Sequence, residues 1–217
     1  MLRILSWNLL VRRGAGCHDV ARLIRDVAPD LVLMQETTAG LDALPDLLGG
    51  RYHRAMAPPR PHAPAMWSPH PVQATQLMLP AATRRDLPVP IRRSVAPRAA
   101  QIIRMDGHDG HMEGRTGGLR IANVHLDHGQ RANRRQIRHI LSACPDIDVI
   151  MGDFNAVGPT CPPGFTDLGP RTATHRMYGV LPLRLDRCVA RALHCVSCSA
   201  LPYGPSDHRP ILVTLAR

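Results

Sequence analysis

With 217 residues, 44% of them hydrophobic, the chain is long enough for a sizeable core and too apolar to be disordered over most of its length. Its formal net charge is +10 and all 27 basic residues are arginine, which suits phosphate-rich partners and also fits a GC-rich coding bias. Aromatic residues make up only 3%, so the core has to be aliphatic and few rings are left to stack on bases.

The chain opens directly on an apolar strand, Leu2 to Trp7, ending at Asn8. No leader-like apolar segment precedes it, and no run approaches the ~18 apolar residues of a membrane span, so a soluble cytoplasmic protein is expected. Val20, Leu23, Ile24 and Val27 follow at helical spacing until Pro29. Leu31 to Met34 is a short buried strand leading into Gln35-Glu36, and Leu41 to Leu48 a second short helix closed by Gly49-Gly50. Arg51 to Met56 reads as a strand. Pro58 to Pro71 is too proline-broken for a helix or central strand and is expected to be an irregular surface loop.

Gln73 to Leu79, Ala99 to Met105 and Leu119 to Asp127 are strands, the last two joined by a Gly- and His-rich loop around 107–118. Gln130 to Ala143 is a basic helix with Arg131, Arg134, Arg135 and Arg138 outward and Ile137, Ile140 and Leu141 inward. Val149 to Met151, Leu183 to Val189, Leu193 to Ala200 and Pro210 to Ala216 complete the strands. There is no repeat or linker, so residues 1–217 are expected to form one domain, a monomer. Six scattered cysteines make no disulfide framework. Cys195 and Cys198 lack the second pair a zinc site needs, and are read as small buried residues of a strand.

Polar residues recur where strands end. Asn8 and Glu36 close the first two, and Asn123-Val124-His125-Leu126-Asp127-His128 ends another. Gly152-Asp153-Phe154-Asn155 follows a fourth strand, Asp186 lies within Arg184-Leu185-Asp186-Arg187, and Ser206-Asp207-His208-Arg209-Pro210 leads into the last. A lone Asp or Asn there is ordinarily a turn residue. Asp153 and Asn155 differ, because residues two apart on extended backbone point the same way and can hold a water or a metal jointly.

In this order, Ser6-Trp7-Asn8, Gln35-Glu36, Val124-His125-Leu126, Gly152-Asp153-Phe154-Asn155, Arg184-Leu185-Asp186-Arg187 and Ser206-Asp207-His208-Arg209-Pro210 resemble the endonuclease/exonuclease/phosphatase superfamily of metal-dependent phosphohydrolases. Ala65-Met66-Trp67-Ser68-Pro69-His70-Pro71 looks like a further strand of that family. The resemblance runs from Arg3 to Leu215. It implies an α/β (α+β) four-layer sandwich, two mostly antiparallel β-sheets packed face to face and flanked by helices. It also implies Mg²⁺ or Mn²⁺ held principally by Glu36, with Asn8 and Asp207 nearby. By the same resemblance Asp153 orients and deprotonates the attacking water, and Asn155 holds the phosphate or the water. His208, paired with Asp186, stabilises the phosphoryl group, and His125 is a further phosphate donor.

Two departures stand out. Leu10 replaces an acidic residue found in several nucleases of the family, and Tyr52, Tyr178 and Tyr203 match no phosphate-binding tyrosine of its abasic-site endonucleases. The expected activity is that of a phosphodiesterase or nuclease acting on nucleic acid. The alternative is hydrolysis of a small or lipid-borne phosphoester, such as an inositol phosphate or a phospholipid headgroup. A catalytically inactive binding module is disfavoured, since the ligands and the Asp/His pair are all present.

Overall fold

Apolar strands buried on both faces need two layers of cover, and this chain provides them. The computed structural model describes residues 1–11, 13–56, 60–83, 86, 96–105 and 118–217. Part of the Pro-rich stretch and most of the 107–118 loop therefore lie outside the described residues.

One six-stranded sheet has the order β13-β14-β1-β2-β4-β3. Its strands are β1 (Leu2–Asn8), β2 (Leu31–Thr37), β3 (Arg51–Arg54), β4 (Ala63–Ser68), β13 (His194–Ala200) and β14 (Ile211–Ala216). A second six-stranded sheet runs β5-β6-β7-β8-β12-β9. It comprises β5 (Gln73–Met78), β6 (Ala99–Met105), β7 (Leu119–His125), β8 (Val149–Asp153), β9 (Thr166–Asp167) and β12 (Asp186–Ala190). Among the described residues, β1·β2 and β7·β8 pair in parallel and the other pairings of the two sheets are antiparallel. A separate hairpin joins β10 (His175–Met177) and β11 (Leu181–Leu183).

Side-chain alternation divides the strands between three apolar layers. Leu2, Ile4, Leu31, Leu33 and Met66 of the first sheet meet Ile103, Ile121, Val149 and Met151 of the second. The other faces of the first sheet's strands, with Leu5, Trp7, Val32 and Met34, pack on Val20 and Ile24 of α1 (Cys17–Val27) and Leu44 of α2 (Leu44–Leu48). Val124, Ile150 and Val189 of the second sheet pack on Ile137 and Ile140 of α3 (Gln130–Ala143). The result is helix, sheet, sheet, helix. Each such side chain, fully buried, contributes about 1.5–3 kcal/mol.

A polar seam crosses between the sheets. Asn123 Nδ2 donates to Met34 O (3.2 Å), Ala65 O (2.9 Å) and Gln101 Oε1 (3.2 Å), and its Oδ1 accepts from Gln35 Nε2 (2.8 Å). An apolar slip between sheets would leave these amides unpaired, so the seam fixes how the strand ends of the two sheets line up.

Two expectations change. Residues 63–68 form β4, inside the first sheet rather than on the irregular loop expected from the prolines, as the family resemblance of Ala65 to Ser68 implied. Pro64 is tolerated because the β2·β4 register is interrupted between Met34 and Thr37, while its carbonyl still accepts from Ala55 N (2.9 Å). Cys198 is exposed and Cys195 half-buried, because β13 is an edge strand with a register shift between Cys195 and Ser197. Among the described residues, no helix is long and apolar enough to cross a membrane.

Candidate functional site

The strand register sets the site. His125, Asp153 and Asp186 are direct partners across β7, β8 and β12, so their side chains emerge in one row at one edge of the second sheet. Asn8 and Gln35 are partners at the matching edge of the first sheet, with Glu36 next in the chain. The Ser206–His208 turn is tied to this edge from the other end of the sequence. Ser206 Oγ donates to Asn8 O (2.7 Å), and Trp7 Nε1 donates to His208 O (3.0 Å). Helix α3 holds the two loops of the second sheet in place. Asn133 Nδ2 donates to Asp127 O (3.0 Å) and Phe154 O (2.9 Å), and Gln136 Oε1 accepts from Asp127 N (2.9 Å).

Between these edges lies a pocket of about 420 Å³ whose lining includes Asn8, Glu36, His125, Asp153, Asn155, Asp207 and His208. Asp153 is 1% exposed. Its Oδ2 accepts from Asn8 Nδ2 (3.0 Å), and its Oδ1 from Asn155 N (2.8 Å). His125 Nε2 lies 3.5 Å and His208 Nε2 3.9 Å from Asp153 Oδ2. His208 Nδ1 is 2.8 Å from Asp186 Oδ2. Glu36 sits at φ +59°, where β2 leaves the ladder, and its Oε2 accepts from Val11 N (2.8 Å). That left-handed kink turns the carboxylate to the pocket instead of into the sheet.

The structure changes how Asp153 and Asn155 work together. Asn155 has φ +48°, so the extended spacing does not hold past Asp153. The pair forms a turn closed on the Asp153 carboxylate, and Asn155 Nδ2 donates to Leu126 O (2.9 Å). Both residues still line the pocket.

Electrostatics separates the histidines. Burial pushes His208 down, but Asp186, Asp153 and Asp207 outweigh it and raise it to about 10. These carboxylates favour the charged, imidazolium form of His208. Burial, then Arg98, holds His125 well below the ordinary histidine range, so that ring is neutral. His128 is lowered by burial and then Arg98.

Several pocket residues carried no readable signal. His175 stacks on His208, ring centroids 4.3 Å apart, from a strand only three residues long. His128, Gly129 and Gln130 line the pocket at the N-terminus of α3. Met177, Leu183, Leu185, Val157 and Leu10 supply apolar walls. Asp207 lines the same pocket as Glu36 and Asn8, and it also groups with His175 and His208, the ligand atoms of the three lying within 4.8 Å of one another. Glu36 keeps an oxygen facing His125 Nε2 (3.9 Å), and Asn8 offers an amide oxygen that also accepts from Leu10 N (3.1 Å). These hard oxygen donors fit Mg²⁺ or Mn²⁺. Arg131, Arg134 and Arg138 of α3 are exposed, whereas Arg135 is engaged with Ala81 O (2.9 Å) and Asp86 (3.1 Å).

A family model described as Endonuclease/Exonuclease/phosphatase family matches residues 5–208. No curated protein sequence matches the chain. Among solved structures, an endonuclease/exonuclease/phosphatase from Bacteroides vulgatus is similar at TM-score 0.74 and 19% identity, over 99% of this chain and 98% of that one. A humanized D. rerio TDP2 is similar at TM-score 0.72 and 16% identity, over 100% and 99% of the two chains. A Bacteroides thetaiotaomicron mannosyl-6-phosphatase matches at TM-score 0.72 and 18% identity, over 100% of both chains. At these identities the likeness is one of fold.

Proposed function

We propose, for a chain that belongs to the endonuclease/exonuclease/phosphatase family and is thereby a metal-dependent phosphoester hydrolase, that it cleaves a phosphodiester by attack of a water deprotonated at Asp153. The observation that carries this reading is the pairing of a buried, doubly oriented carboxylate with an imidazolium. Asp153 is aimed by Asn8 and Asn155, and His208, its Nδ1 2.8 Å from Asp186 Oδ2, is held by that carboxylate toward its protonated form. A group with a raised basicity that is protonated at pH 7 donates to the phosphoryl oxygens; it does not accept the water's proton. That leaves Asp153 as the base, Asp186 as the residue that orients and charges His208, and neutral His125 as a second donor. Asn155, closing the turn through its backbone N–H, holds Asp153 in place and lines the pocket. Glu36, Asn8 and Asp207, which line the same pocket, would hold Mg²⁺ or Mn²⁺, which when bound would neutralise charge building on the phosphoryl oxygens.

For the substrate, the walls favour a compact or lipid-borne phosphoester over nucleic acid. Five wall residues are aliphatic side chains or methionine, and among the described residues the rings lining the pocket are those of histidines alone. Beside it the β10–β11 hairpin exposes Tyr178 (87%), Val180 (82%) and Leu181 (50%), an apolar tip next to Arg176. Such a tip suits a lipid interface. The nucleic-acid reading rests on the exposed arginines of α3, whose first residue, Gln130, lines the pocket. The test is the purified chain with Mg²⁺ or Mn²⁺ against plasmid, single-stranded DNA, abasic duplex, inositol phosphates, phospholipid vesicles and a bis-aryl phosphate. Turnover of the bis-aryl phosphate that EDTA abolishes supports the chemistry. No EDTA-sensitive turnover of any of them would overturn it.

A further inference from the structure

We propose, resting on the phosphodiesterase reading above, that a second cavity of about 210 Å³ bordering Glu36 receives an uncharged aliphatic ester arm of the substrate. Leu10, Val11, Thr38 and Leu41 in its wall set the length of that arm. Leu10 and Glu36 line both this cavity and the 420 Å³ pocket, so a phosphoester seated at Glu36 has an outlet here for one of its arms. An apolar cavity of about 150 Å³ is enough to admit benzene, so this one has room for an arm of several carbons.

The wall shared by the two cavities is held in place by its own backbone. Leu10 has φ +56° and Glu36 φ +59°, so two non-glycine residues stand in the left-handed region where the cavities meet. Leu10 N donates to Asn8 Oδ1 (3.1 Å), its carbonyl accepts from Gly14 N (2.8 Å), and Val11 N donates to Glu36 Oε2 (2.8 Å). Leu9, Ala15 and Leu41 add buried aliphatic surface, and Leu41 N donates to Thr38 O (3.0 Å) to close the turn that carries Thr38. The chemistry of the wall excludes a charged arm. Among the described residues no cationic side chain lines the cavity, and Glu36 is its carboxylate. The N-terminus of α1 reaches it at Gly16 and Cys17, but Asp19 already supplies the negative charge there, its Oδ2 accepting from Gly16 N (3.0 Å). A nucleic-acid strand entering here would bring its next phosphate against Glu36 with no cation to offset the repulsion. An alkyl arm meets no such repulsion and buries its methylenes against Leu9, Leu10 and Leu41.

The test is competition and NMR on the full chain with Mg²⁺, using inorganic, methyl and n-butyl phosphate as probes. Against turnover of the bis-aryl phosphate, n-butyl phosphate should inhibit roughly 10–60-fold more tightly than methyl phosphate, since each buried methylene is worth ~4-fold (about 0.8 kcal/mol). Gly40 lines the cavity, and the nearest atom to a Cβ there is Thr38 Oγ1 at 3.6 Å, so Gly40→Leu fills the space without a backbone clash. In that variant the preference for the longer arm should vanish. A preference that survives in folded Gly40→Leu, or equal inhibition by methyl and n-butyl phosphate in the wild-type chain, would overturn the proposal. NMR of the wild-type chain needs neither a substitution nor turnover. There n-butyl phosphate should shift the methyl resonances of Val11 and Leu41, which inorganic phosphate leaves in place. Shifts confined to Met177 and Leu183 of the catalytic pocket, or none at all, would rule the subsite out. If EDTA-sensitive turnover is missing, the phosphodiesterase reading falls by itself and the methyl shifts still decide whether the arm binds.

Discussion

Replacing Asp153 with Asn separates the base from the shape it occupies. Both carboxylate oxygens accept one hydrogen bond, from Asn8 Nδ2 (3.0 Å) and from Asn155 N (2.8 Å). An amide has one acceptor oxygen, so its NH₂ must face one of those donors. Leaving that donor unpaired costs about 1–3 kcal/mol, which a typical stability of roughly 5–15 kcal/mol absorbs. For a chain of this size the melting temperature should fall by about 2–12 °C, so the variant remains folded at assay temperature. Loss of the base costs ~10²–10⁴ in rate, or about 3–5 kcal/mol of barrier. The assay is kcat on a bis-aryl phosphate with saturating Mg²⁺, paired with thermal unfolding of the same preparation and run beside His208→Asn over a pH series. Turnover above about a tenth of wild type would refute the assignment. The base would then be His208, and its ion pair with Asp186 would have to break before catalysis.

Chelation should remove all turnover and Mg²⁺ or Mn²⁺ restore it, with Glu36→Gln raising the Mg²⁺ concentration needed; full activity in EDTA would mean a different chemistry. Asp186→Asn should lower the His208 pKa from about 10, moving the alkaline limb of kcat/KM toward neutral pH, and a limb that stays put would show that Asp186 does not set it. The sign for stability follows: a raised histidine stabilises fully below its ordinary value of about 6.5 and ceases to as pH rises through about 10, so the variant's melting temperature should vary less across that window than wild type. If nucleic acid is bound, changing exposed Arg131, Arg134 and Arg138 to Gln should flatten the slope of log affinity against log salt by about 0.9 per lost contact, whereas an unchanged slope leaves α3 a solvated face. Tyr178→Ser with Val180→Ser should cut turnover on phospholipid vesicles and spare the bis-aryl phosphate; equal loss on both would argue against an interfacial hairpin.

What was legible in the sequence is what local pattern controls. Gln130 to Ala143 reads as a helix and is one, because its apolar residues recur on one face. Asn8, Glu36, Asp153 and His208 stand out only through the family resemblance of the motifs that hold them, since each alone reads as an ordinary strand-end residue, and the structure brings all four to one pocket. Distances between elements were not legible. Nothing local says that His125, Asp153 and Asp186 share a row, since that depends on β7·β8·β12 register, which long-range pairing decides. Pro64 argues against β4 by a proline rule applied one residue at a time, which cannot see a ladder interrupted on the partner strand, and only the family resemblance marked Ala65 to Ser68 as a strand. Arg135 shows the same limit: its spacing puts it with the outward arginines, yet Asp86 and Ala81, far away in the chain, engage it. His175 was invisible for the strongest reason. It lies outside every motif and reaches the pocket only because three-residue β10 pairs with the Ser206–Arg209 turn through His208, so its chemistry is created by the fold.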